Sequence, residues 1–379
     1  MTITINNKNK KPNVPNLRFK EFEGEWEDFL VNDVCSEFKS GKNIKADSVF
    51  ECGEYPVYGG NGLRGYTSSY NHEGSYVLIG RQGALCGNIR SVYGKTYITE
   101  HAIAVAGNEK SNTNFLHYLF LKMNLGQYSD QSAQPGLAVN KLLKLKVALP
   151  IISEQTKIAT FLSLLDERIA TQNKIIDKLQ TLIRGISNKL LNTDLGKKTR
   201  LGDILNECSE RTKVNNQYEV ISSTVNGLFS QREYFSKDIA SENNIGYKIL
   251  RLHDVVLSPQ NLWMGNINCN DKFEIGIVSP SYKIFSIVDG YDKKFVSALL
   301  KTHRALYNYT LVSEQGASVV RRNLNLEAFE QLTFIIPPIA NQRTIGYTIS
   351  LLKYRLEIEN MLKVTYLSQK QYLLRQMFI

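Results

Sequence analysis

Arg81 and Gln82 stand between the apolar run Val77–Gly80 and Gly83, where a loop tip is expected at the end of a strand. From such a tip an arginine can bond guanine O6 and N7, and a glutamine can bond adenine N6 and N7. The pair therefore suits the reading of base edges. A second tip is formed by Pro259, Gln260 and Asn261, which follow Val255–Ser258. Asn61 and Arg64, in GGNGLRG, are loop residues within reach of a phosphate or a base. Gln134 in QSAQPG, with Lys141 just beyond, and Gln315, Arg321 and Arg322 in EQGASVVRR make two more polar loops. The arginine pair is the strongest candidate for neutralising phosphate. The competing reading of each is a solvated turn or a surface charge.

Other chemistries find little support. His72, His101, His117, His253 and His303 have no ligand spacing, and no carboxylate pair stands out as an acid–base couple. An adenine methyltransferase is expected to carry a catalytic N/D-P-P-F/Y tetrapeptide, whereas the Pro-Pro here, Pro337 and Pro338, sits in IIPPIA. Gly94, Lys95 and Thr96 imitate the end of a phosphate loop, but Ile89 stands where its first glycine belongs, so a hairpin turn is expected instead. Trp263, whose partner in the first half is Leu85, is expected in a core. Five cysteines (Cys35, Cys52, Cys86, Cys208, Cys269) without a CxxC pair argue for a reducing cytoplasm and against a zinc site. The polar, lysine-rich start reads as neither signal peptide nor anchor, and no apolar run approaches a membrane span.

The elements that must position these loops are set by one long stretch. Ile158, Leu162, Leu165, Ile169, Ile176, Leu179, Ile183, Ile186 and Leu190 fall at alternating steps of four and three, with Gln172 the polar member of the series. That is a coiled-coil seam. At about 1.5 Å per residue, a helix from Glu154 to Leu191 would be roughly 57 Å long, which suits a spacer. A shift of 187 positions places Pro150 on Pro337, Gln155 on Gln342, Leu164 on Leu351 and Arg168 on Arg355, so the stretch is duplicated at the end of the chain. The second seam is less regular, with Glu359, Lys363 and Lys370 inside it. The intervening segments repeat too: at a shift of 178, Val255–Ile267 lies over Val77–Ile89 with Gln82/Gln260, Gly87/Gly265 and Asn88/Asn266 identical.

The expected order is a disordered lead-in over residues 1–16, a domain over 17–150, a helix over 151–192, a second domain over 199–337 and a second helix over 338–379. The fold class is α+β: two similar mixed-sheet domains separated by two long antiparallel coiled-coil helices, related by a pseudo-two-fold internal repeat. With 379 residues, 46 Lys+Arg against 36 Asp+Glu and a charge of +10, the chain favours a polyanionic partner. Two domains at the ends of such a spacer would match a split target spanning about 15 to 18 base pairs.

This order of motifs, with VPNLRFKEFEGEWEDF, SYVLIGRQGALCGNIR, QSAQPGLAVNKLLKLKVALP and the PIISEQ tract before a long helix, resembles the specificity subunit of type I restriction-modification systems. The resemblance covers the chain after its lead-in. It implies a non-catalytic, cytoplasmic subunit with two target-recognition domains that binds double-stranded DNA and recruits two methyltransferase subunits and the restriction/translocase subunits. It implies no cofactor in this chain, S-adenosylmethionine being held by the methyltransferase. Off-seam apolar residues Ile151, Ile152, Phe161, Ile175 and Leu182 are the candidates for docking those partners. A protein-interaction adaptor with two domains on a helical spacer is the alternative.

Overall fold

A computed structural model of the chain describes residues 12–129, 136–191, 196–234, 243–315 and 322–379. The chain divides into two compact units, Met1–Asn173 with Met361–Ile379, and Lys174–Asn360.

In the first unit β1 (Glu27–Leu30), β2 (Cys35–Ser40), β3 (Tyr55–Gly59), β4 (Gly62–Thr67), β5 (His72–Gly80), β6 (Ile89–Ile98) and β7 (Ala102–Gly107) precede a helix at Thr113–Met123, and β8 (Lys146–Leu149) returns to pair with β1. Six strands form one sheet in the order β2-β7-β5-β6-β3-β4, mixed because β3 runs parallel to β6. The near-continuous apolar runs of β5 and β7 follow from burial on both faces. Val77 and Ile79, with Ile103 and Val105, enter the core under the helix. Leu78, Ala102 and Ala104 alternate with them and enter a second cluster with Val92 and Ile98. The helix starts where the Asn112 side chain accepts from the amides of Asn114 and Phe115, and ends at Asn124, in the left-handed region at φ 49°.

Gly94–Thr96 is not a hairpin turn. It lies inside β6, where Gly94 (φ 80°) faces Gly74 (φ 124°) and Lys95 faces Glu73. Two facing glycines take a positive φ there that other residues rarely adopt, and the ladder continues through them in register.

The central helix runs from Ile152 to Leu191 and the C-terminal helix from Ile339 to Gln376. In the first unit, Ile158, Leu162 and Leu165 share a core with Leu373, Met377 and Phe378. Asp166 pairs with Lys370 and the Arg168 guanidinium lies 5.5 Å from the Tyr366 ring centre, so the residue numbers run in opposite directions and the helices are antiparallel. The seam residues face inward as their spacing predicts. Lys370, one of the irregular seam positions, is accommodated by Asp166, which also accepts from the Tyr118 hydroxyl at 2.9 Å.

Residues 12–16, expected within a disordered lead-in, are held in place: the Asn13 amide donates to Asp28 Oδ1 at 2.8 Å, the Trp26 amide donates to Asn13 O at 2.8 Å, and Pro15 is buried. Residues 1–11 lie outside the described residues. Arg18 then grips the fully buried Glu154 through Nε (2.8 Å) and Nη2 (2.7 Å). That hydrogen-bonded contact raises the guanidinium pKa further above its ordinary range. Trp26 packs edge-on against Phe115 and Phe378.

In the second unit β9 (Lys197–Arg200) pairs with β20 (Thr333–Ile336), as β1 pairs with β8. Between them lie β10 (Leu205–Cys208), β11 (Ile221–Thr224), β12 (Gly227–Ser230), β13 (Lys248–Arg251), β14 (Val255–Leu257), β15 (Ile267–Cys269), β16 (Ile275–Val278), β17 (Lys283–Ile287), helices Lys293–Leu299 and His303–Leu311, and the short hairpin β18 (Ser313–Gln315) and β19 (Arg322–Leu324). The order β10-β17-β14-β15 repeats β2-β7-β5-β6 of the first unit, strand for strand and antiparallel throughout. The units differ at their edges. The first extends its sheet with β3 and β4, whereas the second carries separate ladders β11-β12 and β13-β16. Among the described residues, its parallel pairing is the bridge Val220–Ile277. Leu191 of the central helix and Ile345 and Ile349 of the C-terminal helix join its core.

Each long helix is fixed to its domain by a buried glutamine. Gln155 Oε1 accepts from the Asn112 amide at 2.8 Å, while its Nε2 donates to Pro150 O at 2.8 Å and Lys110 O at 2.9 Å. Gln342, its counterpart, accepts from the Asp292 amide at 3.0 Å and donates to Pro337 O at 2.9 Å. Asn112 and Asp292 are themselves the residues that cap the two domain helices.

Candidate nucleic-acid interface

The loops singled out in the sequence leave homologous strand ends, and the same main-chain bonds hold both. Gly80 N donates to Asn88 O at 2.8 Å in the first domain, and Ser258 N donates to Asn266 O at 3.0 Å in the second. Cys86 N to Gly83 O (3.0 Å) is matched by Met264 N to Asn261 O (3.1 Å). Gly87 and Gly265 take the same left-handed conformation, φ 84° and 92°. A Cβ on Gly87 would fall 2.2 Å from the Gly126 nitrogen, so that position admits nothing larger. The frame is shared, and the residues it displays differ: Arg81, Gln82 and Gly83 against Pro259, Gln260 and Asn261.

A second loop fastens each tip. In the first domain Gln82 forms an antiparallel bridge with Gly136, and Leu137 N donates to Arg81 O at 2.9 Å. In the second, Arg322 N donates to Gln260 O at 3.2 Å, and Gln315 faces Arg322 across the β18-β19 hairpin. Gln260, Gln315 and Arg322 are therefore neighbours.

In the first domain the exposed side chains of Asn61, Arg64 and Gln82 line one cleft of about 250 Å³ with Gly59, Gly60 and His101. His101 bridges Gln82 Oε1 (Nδ1, 3.3 Å) and Glu100 Oε1 (Nε2, 3.2 Å). Arg81 is half-buried and anchors the loop through its main chain, donating to His101 O at 2.9 Å. Lys141 is exposed on the helical turn Val139–Leu142. Gln134 and Arg321 lie outside the described residues.

Trp263 departs from expectation. It is half-buried, and the Arg322 guanidinium lies 4.4 Å from its ring centre. It sits on the short 3-10 turn Leu262–Met264, whose one fully buried side chain is Leu262; the turn places Leu262 in the core and keeps Trp263 at the rim. Leu85, its counterpart, is exposed. Arg322 is thus held against an aromatic face, with its Nε buried and without a hydrogen-bond partner among the described residues. The base of this loop is tied down by Lys301, whose ammonium donates to Gly265 O at 2.9 Å and Val225 O at 3.2 Å. Burial pushes Lys301 down to about 8.

Sequence reasoning passed over His101 and Arg90. Both were obscured because their place depends on strand pairing: Arg90 lies beside the β3-β4 turn, where a Cβ on Gly62 would come within 3.0 Å of its guanidinium carbon. A single strand gives no local sign of that approach.

On the helices Ile151, Ile152, Phe161, Ile175 and Leu182 are exposed, off the seam. Phe161 is partly covered by Phe19, edge-on at 5.8 Å. Leu164 and its duplicate Leu351, 58% and 52% exposed, were not singled out, although their identity in both copies was visible. In the second unit Tyr347, Leu351, Tyr354 and Ile358 form an exposed apolar stripe at steps of four, three and four. Among the described residues no group of His, Cys, Asp and Glu could hold a metal ion, and no helix is long and apolar enough to cross a membrane.

Comparison with known proteins agrees with this geometry. The specificity subunit of the type I restriction enzyme EcoprrI from Escherichia coli is 42% identical over 154 residues, 40% of this chain and 38% of that protein. A putative type I restriction enzyme specificity subunit from Haemophilus influenzae is 29% identical over 146 residues, 38% of this chain and 37% of its own. The matches thus span less than two fifths of either relative's length. The crystal structure of a type I restriction-modification system S subunit from M. genitalium shares the fold across 97% of this chain and 99% of its own, with a TM-score of 0.67 at 15% identity. Residues 23–181 match the model of the type I restriction modification DNA specificity domain. Residues 23–181 are thus similar to a type I restriction modification DNA specificity domain, and the chain as a whole shares the fold of the S subunit.

Proposed function

We propose that this chain is the DNA-recognition subunit of a type I restriction-modification complex, each of its domains reading one half of a split, asymmetric target. The observation that carries this reading is the pair of loop tips, held by equivalent main-chain bonds yet displaying different side chains. A shared frame presents the same kind of surface to the same kind of ligand, and different displayed residues select different bases. The first tip, with Asn61, Arg64, Gln82 and His101, meets one half-site, and the second, with Gln260, Asn261, Gln315 and Arg322, meets the other. Arg81, Lys141 and the sequence candidates Gln134 and Arg321 are assigned further polar contacts in this reading. The net charge of +10 supports a polyanionic ligand.

The chain contributes recognition and no chemistry of its own. S-adenosylmethionine belongs to two methyltransferase subunits, which dock with the restriction/translocase subunits on the exposed apolar faces of the long helices. The duplicated, exposed Leu164 and Leu351 favour two equivalent docking positions.

Two measurements test the proposal. Binding of the full chain to labelled duplex should weaken steeply with salt, with log K falling linearly against log concentration at a slope set by the phosphate contacts. Incubation of the chain alone with DNA and labelled methyl donor should give no incorporation. A salt-independent affinity, or methyl transfer by the chain alone, would refute it.

A further inference from the structure

The cleft of the first domain presents donors from Arg64 and Gln82, beside Asn61, which offers both kinds of group. Arg64 has donors only. Gln82 has both kinds of group, but its Oε1 faces His101 Nδ1 at 3.3 Å while its backbone is fixed by the bridge to Gly136. With the proton on Nδ1, the amide nitrogen is what remains for a ligand in the cleft. His101 is itself held from the far side by Glu100 Oε1, 3.2 Å from Nε2. Gly59 and Gly60 let the chain pack closely here: a Cβ on Gly60 would lie 2.7 Å from His101 O, and one on Gly59 would lie 2.9 Å from Arg64 Cδ.

Among bases in a major groove, guanine alone offers two acceptors side by side, O6 and N7; adenine and cytosine bring an amino donor, and thymine one acceptor beside a methyl group. Resting on the reading of this chain as a DNA-recognition subunit, we propose that this cleft selects guanine, with Arg64 and the Gln82 amide nitrogen as the contacting donors and His101 as the positioning residue that turns the Gln82 amide. Gln82 free of His101 would be able to pair with adenine N6 and N7 as well. Specificity at one base pair thus depends on a histidine that touches no base.

Selection of bound duplexes from a randomised pool, using the full chain, tests this. The wild-type chain is expected to enrich a motif with one guanine preferred over adenine by roughly tenfold or more. Arg64→Ala should flatten that position. His101→Ala should bring guanine and adenine there to near parity and leave the remaining positions unchanged. His101→Asn, whose amide nitrogen replaces Nδ1, should restore the guanine preference. A purely structural role for His101 would instead lower enrichment at every position of the half-site, and that result overturns the assignment. So does adenine as the wild-type base at the position that Arg64→Ala flattens, which would mean that the ring accepts from the Gln82 amide. A wild-type chain that enriches no motif refutes DNA recognition itself, a failure seen before any variant is compared.

Discussion

The fold disturbs the titration of His117 within the range of ordinary buffers. Burial between the sheet and the central helix, with Lys370 nearby, lowers its pKa to about 4, and Ser91 Oγ lies 3.0 Å from its Nδ1. Between about 6.5, the value of an unfolded chain, and 4, the unfolded state binds the proton and the folded state does not. Stability is therefore complete above pH 6.5 and is lost as the pH falls toward 4. By pH 5 the loss should reach about 2 kcal/mol. Chemical denaturation at pH 7 and pH 5 should show it, and in His117→Gln the difference should shrink by that amount. A variant with the same pH dependence as wild type would place the titrating group elsewhere. Single residues were read unevenly from sequence. The exposure of Asn61, Arg64 and Gln82 was legible because glycine-rich turns carry their polar residues at the surface. His101 was not, since its role comes from a neighbouring strand end brought beside Gln82 by the sheet.

At the scale of elements, the junction between helix and domain rests on Gln155 and Gln342. Gln155→Leu removes the acceptor of the Asn112 amide and is expected to cost about 1–3 kcal/mol, because a buried donor is left unpaired. The loss should appear as a lower denaturation midpoint with unchanged slope. Gln342→Leu should do the same through the Asp292 amide. The exposed faces give a complementary expectation. Ile175→Glu with Leu164→Glu should leave the denaturation midpoint nearly unchanged, since both side chains are already exposed, yet abolish copurification with the methyltransferase that the proposed function assigns. Retained assembly would remove these faces from the docking surface. The repeat was legible because coiled-coil spacing and identical residues at fixed shifts are written directly in the chain. The GKT segment misled because facing glycines look like a turn when one strand is read without its partner. Trp263 misled because size and hydrophobicity argue for a core, whereas the 3-10 turn gives that place to Leu262.

For the whole molecule, the proposed function has one consequence: neither half should address a full target. We propose that helix length sets the gap between half-sites. Removing one heptad between Ile169 and Leu182, together with the matching heptad of the C-terminal helix, shortens each by about 10 Å, equivalent to roughly three base pairs. The gap should contract while both half-site sequences persist. The most direct test of the account is the motif that the full, unaltered chain enriches from a pool of randomised duplexes. The account predicts two unlike specific blocks separated by a degenerate gap of fixed length. A single uninterrupted motif, or one palindrome read identically from both sides, would contradict it.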